Sequence, residues 1–267
     1  MFDWVVFDWS WVNWAIVALA GFLGGVLNAV AGGGSFITLP ALVFVGVPPI
    51  AANTTGTAAL LPGYIASAWR FRRDIEYPAG LSLKTISMVA LLGGGIGAAL
   101  LLLTSSHVFS VLIPWLILIS TIAFIVGPLF LRKRKPSKRS VDNNIASSAQ
   151  WVNLAVLLIV CTYGGYFNGG LGIILLAAFG LMGQNSLHGM NGLKSIVSAL
   201  LTVIAVCVYA IGDTLEFHYL LVLSVSSVLG GYFGAALTYR LTSLQIRSII
   251  ILVGLFMSAV FFHRAYF

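Results

Sequence analysis

Apolar runs of about 20 residues recur along this chain, and they constrain its fold more than any other feature. A run of that length can cross the hydrocarbon core of a bilayer as one helix. Hydrophobic residues make up 60% of the chain and charged residues only 8%, whereas soluble domains carry about 25% charged residues. The sequence therefore predicts an all-α polytopic membrane protein.

Two of the ten hydrophobic segments are too short to cross. The eight long spans cover 12–30, 50–69, 83–103, 108–131, 151–167, 187–211, 217–237 and 244–262. The short segments, 36–47 and 171–182, would reach only about 18 Å as helices, against a core of about 30 Å. Each short segment follows a glycine-rich break, so we expect half-helices joined to their neighbours, or re-entrant segments.

Matching segments indicate that the chain is built from two related halves. LGGGIGAAL (92–100) matches LGGYFGAAL (229–237), and GGVLNAVAG (24–32) matches GGYFNGGLG (164–172). Five segments per half is an odd number, so the second half should run in the opposite sense, an inverted-topology repeat. We predict a first repeat over 1–131, a linker over 132–150 and a second repeat over 151–267. The glycines of LGGxxGAAL are expected to let helices pack closely.

The net charge of +7 is concentrated in places that indicate membrane orientation. The cluster RKRKPSKR (132–139) directly follows a hydrophobic span, which is typical of a cytoplasmic loop and not of a nucleic-acid-binding surface. If every segment crosses, Asp213 and Glu216 fall outside, and Arg264 is the one misplaced basic residue. We therefore predict a multi-pass protein of a bacterial-type plasma membrane, with both termini outside and the 132–150 loop cytoplasmic. The pattern predicts a lipid bilayer around the chain and no nucleic-acid partner, and leaves the oligomeric state open.

The stretch NAVAGGGSF (28–36) places three glycines where a membrane helix would be expected to continue. Irregular backbone at membrane depth occurs where protein buries it or where it lines a cavity. Glycines let backbone N–H groups approach a ligand closely, and Ser35 is expected to cap the helix that follows. Because a helix N-terminus favours negative charge, the break is a candidate anion site.

Polar residues near the two breaks complete the predicted site. Lys194 lies a few residues into an apolar helix with no acid in its own or adjacent spans, so it either meets a substrate anion or snorkels to the cytoplasmic face. His188 is either a proton relay or an ordinary interfacial residue. The predicted substrate-binding residues are Asn28, Gly32, Gly33, Gly34, Ser35, Asn53, Thr54, Thr57, Asn168, Gly170, Asn191, Lys194 and Ser195. The alternative for the asparagines is hydrogen bonding between helices.

Two stretches carry a resemblance to a known family. The segment GGVLNAVAGGGSFITLPALVFVGVPPIAANTTGTAALLPGYIASAWRFRRD (24–74) resembles the signature of the sulfite exporter TauE/SafE permeases, and YGGYFNGGLGIILLAAFGLMGQNSLHGMNGLKS (163–195) resembles the matching repeat of one branch. The resemblance implies a transporter for sulfite, sulfonates, sulfoacetate or other organic anions. The second half lacks the GGG and later Thr-Ser pair of the commoner pattern, which leaves the substrate open.

The leading functional hypothesis is a secondary transporter for a small, sulfur-containing anion that works by alternating access. No catalytic residue, cofactor or metal is predicted, and no GxxxxGK[ST] nucleotide motif occurs. The alternatives are a passive anion channel and an intramembrane hydrolase with Ser35 as nucleophile and His188 as base.

Overall fold

The computed structural model describes residues 10–73, 75, 77–78, 81–133, 143–184, 186–238 and 243–266. Every regular element in these ranges is a helix, which confirms the predicted all-α class. In chain order the helices are α1 (Ser10–Ala31), α2 (Ser35–Phe44), α3 (Pro49–Ala59), α4 (Leu61–Phe71), α5 (Leu83–Leu103), α6 (Ser106–Lys133), α7 (Asn143–Tyr166), α8 (Leu171–Leu181), α9 (Leu187–Ile211), α10 (Phe217–Thr238) and α11 (Ser243–Tyr266).

Several of these helices are long and apolar enough to span a bilayer, as a multi-pass membrane protein requires. The described residues contain five such stretches: Trp11–Ala29, Leu83–Leu103, Ser106–Ala123, Gly189–Ile211 and Phe217–Gly234. The described apolar parts of α7 and α11 are shorter, Gln150–Tyr166 and Ile251–His263. The two short helices, α2 and α8, lie close to the predicted short segments, with 10 and 11 residues.

The predicted span over 50–69 is wrong in one respect, because it is two helices. α3 ends at Ala59 and α4 begins at Leu61, with Leu60 between them. Pro62 explains the interruption: it has no N–H to donate, and its ring would clash with the carbonyl four residues earlier. The chain therefore tightens at this point, where the Leu60 amide donates to the carbonyl of Thr57 at 3.2 Å.

Two helix pairs pack so closely that their glycines admit no side chain. A Cβ added to Gly25 on α1 would overlap the carbonyl oxygen of Ser227 on α10, and one added to Gly97 on α5 would overlap that of Thr162 on α7. Such close approach is typical of small residues between membrane helices. The packing confirms the predicted role of the LGGxxGAAL glycines, since the further members Gly93, Gly94, Gly230 and Gly234 meet neighbouring backbone in the same way.

The helices of each tight pair run in the same direction. Along α1 and α10, Gly21 lies beside Leu223 and Val26 lies beside Gly234. Along α5 and α7 the contacts likewise advance together, from Gly93 beside Cys161 to Gly97 beside Tyr166. One pair contains the first helix of the first half, and the other contains the first helix of the second half.

Charged residues collect at the two opposite ends of the bundle. α9 begins beside the end of α4, where Gly192 faces Phe71, and it ends beside the end of α5, where Gly212 faces Leu102. We call the first of these the arginine-rich end; its described basic residues are Arg70, Arg72, Arg73 and Lys84. The other is the acidic end, with Asp213 and Glu216 in the loop between α9 and α10.

Each short helix folds back along the long helix that precedes it. α2 returns along α1, where Thr38 packs on Gly24, and α8 returns along α7, where Leu171 packs on Gly164. Both short helices end in the same left-handed turn, with φ +95° at Gly46 and at Gly183. In each turn a later amide reaches back five residues: Val47 N–H donates to Leu42 at 2.9 Å, and Gln184 N–H donates to Phe179 at 3.1 Å.

Two buried hydrophobic clusters surround these hairpins. One cluster contains Phe36 of α2, Phe167 after α7 and Tyr209 of α9. The other contains Leu171 and Phe179 of α8, packed with residues of α5, α7 and α9. Because the clusters lie against opposite hairpins, both glycine breaks are held inside the packed core and away from the surface.

Candidate functional site

The two glycine breaks meet in the middle of the bundle. A Cβ added to Gly32 would lie 2.8 Å from the Cα of Gly172, and one added to Gly172 would lie 2.9 Å from the Cα of Gly32. Gly32 has φ +78°, a left-handed conformation that glycine adopts without steric cost. The breaks therefore touch backbone to backbone, as the sequence led us to expect for a site shared by both halves.

Both short helices start at this contact, and neither start is capped by a side chain. Gly34 occupies the N-cap position of α2 and Gly170 that of α8, and no side-chain hydrogen bond caps either helix. The expectation that Ser35 caps α2 is therefore wrong: Ser35 is the first helical residue. Within the described residues, most first-turn amides of α2 and α8 donate to preceding carbonyls, and those of Ser35 and Gly172 have no backbone partner. Each helix start also carries a partial positive charge. Two such starts face the same region of the protein interior.

Lys194 of α9 lies directly beside the two breaks. Its side chain is 7% exposed, and its Cδ lies 3.3 Å from the position that a Cβ on Gly172 would take. Within the described part of the chain, no hydrogen bond or ion pair to its ammonium group is present, and the described acids Asp213 and Glu216 lie at the acidic end. A buried ammonium without a partner is costly, and an anion or water beside Lys194 would compensate its charge.

Further polar atoms around the breaks are buried without partners. Among the described residues, the hydroxyls of Ser35, Thr38 and Thr57 find no hydrogen-bond partner, and neither do the Oδ1 atoms of Asn28 and Asn53. Each unsatisfied buried group costs about 1–3 kcal/mol, so native proteins hold few of them unless a ligand or water completes the site. Of the predicted set, the structure places Gly32, Ser35 and Lys194 at or beside the breaks, and it leaves Thr57 buried and unpartnered on α3.

Two of the predicted asparagines use one end of their amide and leave the other end free. Asn168 Oδ1 accepts a hydrogen bond of 2.8 Å from the hydroxyl of Tyr64, while its Nδ2 has no partner. Asn53 Nδ2 donates to the Tyr166 carbonyl at 3.1 Å, while its Oδ1 has none. Each asparagine therefore links the two halves of the chain and keeps one polar atom available.

Several predicted residues have structural roles or lie elsewhere. Thr54 donates to the carbonyls of Thr214, at 2.7 Å, and Ala51, so it fixes α3 to the loop at the acidic end. Ser195 donates to the carbonyl of Asn191, one turn earlier in α9. Gly33 packs against the Phe36 ring and Gly170, at φ +73°, against Ser120. His188 belongs to α9, but its side chain is outside the described residues.

No sequence pattern predicts the residues that hold the second break in shape. The hydroxyls of Ser120 of α6 and Tyr163 of α7 lie within hydrogen-bonding distance of the carbonyl of Gly169, at 2.9 and 2.7 Å, and of each other, so one can donate to the carbonyl and the other to its neighbour. Tyr209 of α9 donates to the carbonyl of Gly165 at 2.5 Å. These partners are 6 to 49 residues apart, so no spacing pattern links them. The one sequence signal for such residues is a hydroxyl-bearing side chain in an apolar helix near a predicted break.

A polar face on α9 continues from Lys194 towards the acidic end. Ser198 and Thr202 follow Lys194 at intervals of four residues, both are fully buried, and neither hydroxyl has a partner. Residues four apart share one side of a helix. Lys194 contacts Gly172 and Tyr209 contacts Gly165, so this face of α9 is turned towards the second break along its length.

Comparisons with known proteins agree on a membrane transporter family. The profile of the family described as "Sulfite exporter TauE/SafE" matches residues 17–261. A "Probable membrane transporter protein" of Haemophilus influenzae is 26% identical over 249 residues, which cover 92% of each chain. No solved structure gives a significant match.

Other curated relatives have similar names. "Probable membrane transporter protein ORF9" of a Sinorhizobium species is 27% identical over 178 residues, 63% of each chain. A "Probable membrane transporter protein" of Xylella fastidiosa is 25% identical over 235 residues, 85% of each chain. Because the family profile spans almost the whole sequence, this chain belongs to the sulfite exporter TauE/SafE family.

Proposed function

We propose that the protein is a secondary transporter for a small anion, bound where the two glycine breaks meet. The observation that carries the proposal is Lys194, a buried ammonium without a partner in the described chain, beside the uncapped starts of α2 and α8. Two helix starts contribute partial positive charge, and the ammonium contributes a full one. An anion would compensate all three positive charges at once and would accept hydrogen bonds from the unpaired amide N–H groups and hydroxyls.

The substrate that fits this chemistry best is a sulfur oxyanion such as sulfite, a sulfonate or sulfoacetate. Its several oxygens accept hydrogen bonds in different directions, which suits a site made of N–H groups, hydroxyls and one ammonium. The family description names a sulfite exporter, and the curated relatives are named as transporters. These names are consistent with a protein that is not an enzyme, and the Ser35 hydroxyl has no hydrogen-bonded base.

The inverted-topology repeat, with halves over 1–131 and 151–267, is part of the proposal. Exchanging the halves converts the α1–α10 pair into the α7–α5 pair, and both pairs are held by the same glycine motifs. The left-handed glycines after α2 and α8 are related by the same exchange. Gly32 and Gly172, which match in the two halves, touch each other, as residues on a two-fold axis must. Such a repeat supports alternating access by rocking of the halves.

Membrane orientation follows from the charge distribution in this proposal. The arginine-rich end would face the cytoplasm, together with the 132–150 loop, and the acidic end would face outside. α1 starts and α11 finishes at the acidic end, where the Trp14 and Tyr219 rings lie 5.1 Å apart at a tilt of 44° and Trp115 hydrogen-bonds to Tyr266. Both termini would therefore lie outside the plasma membrane.

Flux measurements in proteoliposomes test the proposed function. Purified protein should take up sulfite or sulfoacetate with saturation, and preloading the vesicles with the same unlabelled anion should accelerate uptake of label. Acetate at the same concentration serves as the comparison anion. A passive channel would show neither saturation at low concentration nor acceleration by preloading, and absence of anion flux above that of empty vesicles would contradict the proposal.

A further inference from the structure

A cavity of about 390 Å³ lies between α1, α4 and α10, next to the first glycine break. Its size falls in the range of small-molecule binding sites. Asn28, Leu60 and Gly63 line it together with Arg70 at the end of α4. Because α4 ends at the arginine-rich end of the bundle, the cavity extends from there towards the middle of the protein.

The cavity reaches the first glycine break. Asn28 and Leu60 line it, and a Cβ added to Gly34 would lie 3.1 Å from the Asn28 Cβ and 3.0 Å from the Leu60 Cδ2. Tyr64, also on α4, hydrogen-bonds to Asn168 of the second break. The cavity therefore leads from the arginine-rich end to the region where the two breaks meet.

Arg70 provides a positive charge in the cavity that can bind an anion. It is the charged residue among the lining side chains, and no ion pair to it occurs within the described residues. Its neighbour Arg72, in contrast, donates to the carbonyl of Trp69 at 2.7 Å and stacks on that indole ring. A guanidinium matches the planar or forked oxygens of carboxylates, sulfonates and phosphates, and Arg70 is free to use it.

The remaining walls favour a ligand that also has carbon atoms. Leu60, Ala66, Val228 and the Tyr232 ring contribute apolar surface, and the polar groups are few. Bare sulfite would leave these walls uncovered, whereas a short alkyl or carboxymethyl group would cover part of them. The cavity therefore suits an anion with an acidic group at one end and a small carbon skeleton.

The matching region of the second half is closed. There α9 packs directly on α5, since a Cβ on Gly94 would lie 2.7 Å from the carbonyl oxygen of Leu201. A Cβ added to Gly95 would lie 3.6 Å from the Ile204 side chain, an ordinary contact distance. Because the first half has a cavity and the matching region of the second half is closed, a ligand would have different access to the interior from the two ends of the bundle.

We propose that this cavity is a docking site where an organic anion binds before it reaches the glycine breaks, with Arg70 holding its acidic group. The inference rests on the proposed transport function. It adds a binding position next to the glycine breaks, a role for Arg70 in anion binding, and a preference for anions with a short carbon skeleton.

Transport kinetics with alkane sulfonates test the docking site. We expect Arg70→Gln to raise the KM for propanesulfonate about tenfold with little change in the maximal rate, Arg70→Lys to be intermediate, and the control Arg72→Gln to match wild type. In wild type the KM should fall about two- to fourfold for each added CH₂ from methane- to propanesulfonate. Ala66→Phe, which fills the cavity, should remove that dependence. Wild-type KM values in Arg70→Gln and in Ala66→Phe would overturn the docking site while leaving transport intact.

Thiol labelling separates failure of the docking site from failure of transport. A Ser67→Cys variant places a thiol in the cavity, and Lys84→Cys, at an exposed position of the arginine-rich end outside the cavity, serves as the control variant. Propanesulfonate should slow maleimide labelling at position 67 and not at position 84, even if no flux is detected. Equal labelling with and without propanesulfonate would overturn the proposal. Protection by anionic lipid, such as phosphatidylglycerol, but not by propanesulfonate would also overturn it and assign the cavity to lipid.

Discussion

Replacing Lys194 by Met is expected to abolish detectable anion binding while leaving the folded protein as stable as wild type, or more so. Charge-assisted hydrogen bonds contribute about 1.5–3 kcal/mol, so their loss should weaken binding by about 10- to 150-fold. The unliganded protein should not suffer, because a buried ammonium without a partner is replaced by an apolar side chain of similar length. The two effects have opposite directions, which distinguishes a binding role from a structural one.

Thermal unfolding in detergent measures both effects of Lys194→Met. An anion that binds only the folded state raises the melting temperature as its concentration increases. Wild type should show this rise with a sulfur oxyanion, and Lys194→Met should not. Lys84→Met is the matched control, because Lys84 is an exposed lysine in the first turn of α5 at the arginine-rich end. A normal anion-induced rise in Lys194→Met would remove Lys194 from the site.

The second large effect is expected from Gly172→Ala. The added Cβ would lie 2.9 Å from the Cα of Gly32 and 3.3 Å from the Cδ of Lys194. Neither backbone can move without disturbing a helix start, so we expect a loss of about 1–3 kcal/mol in the free energy of unfolding. The substitution should also separate the two breaks and reduce anion binding.

Gly95→Ala provides the comparison for this substitution. Gly95 is also helical, and its added Cβ would meet Ile204 at an ordinary 3.6 Å. Alanine favours helix over glycine by about 1 kcal/mol, so Gly95→Ala should match or exceed wild-type stability. If Gly172→Ala were as stable and bound anions as well as Gly95→Ala, the breaks would not be in the tight contact described.

Local patterns in the sequence predicted much of the fold. The segments 36–47 and 171–182 were recognisable because glycine runs interrupt otherwise apolar helices, and they correspond to α2 and α8. The LGGxxGAAL glycines pack helices as expected, because removal of Cβ is the simplest way to bring two backbones together. Each of these features depends on a few consecutive residues.

The interruption at Leu60 was missed although its signal is local. Pro62 stands inside the predicted span, and a proline ends or kinks a helix just before it. The residues around Pro62 are otherwise apolar, which favours one continuous span. The role of Ser35 was misjudged for a related reason, since a serine before an apolar run resembles a cap, whereas Gly34 takes that position.

Other parts of the site could not be predicted because they depend on distant residues. The Tyr64–Asn168 hydrogen bond joins residues 104 positions apart, and the Tyr209 hydrogen bond to Gly165 joins two different helices. The cavity at Arg70 needs three helices to be placed around it, so the sequence indicated only a basic residue near a loop. Lys194 could be predicted from the sequence because an isolated cation in an apolar helix is unusual wherever its neighbours lie.

Locating a bound oxyanion directly is the measurement that tests the central claim most sharply. Selenate resembles the oxygen arrangement of a sulfonate, and selenium can be located by its anomalous X-ray scattering in crystals grown with it. We predict a selenium peak between the starts of α2 and α8, with its oxygens in hydrogen-bonding distance of the Ser35 amide and the Lys194 ammonium. A selenium site elsewhere in the protein, with the region between the two breaks empty, would contradict the account.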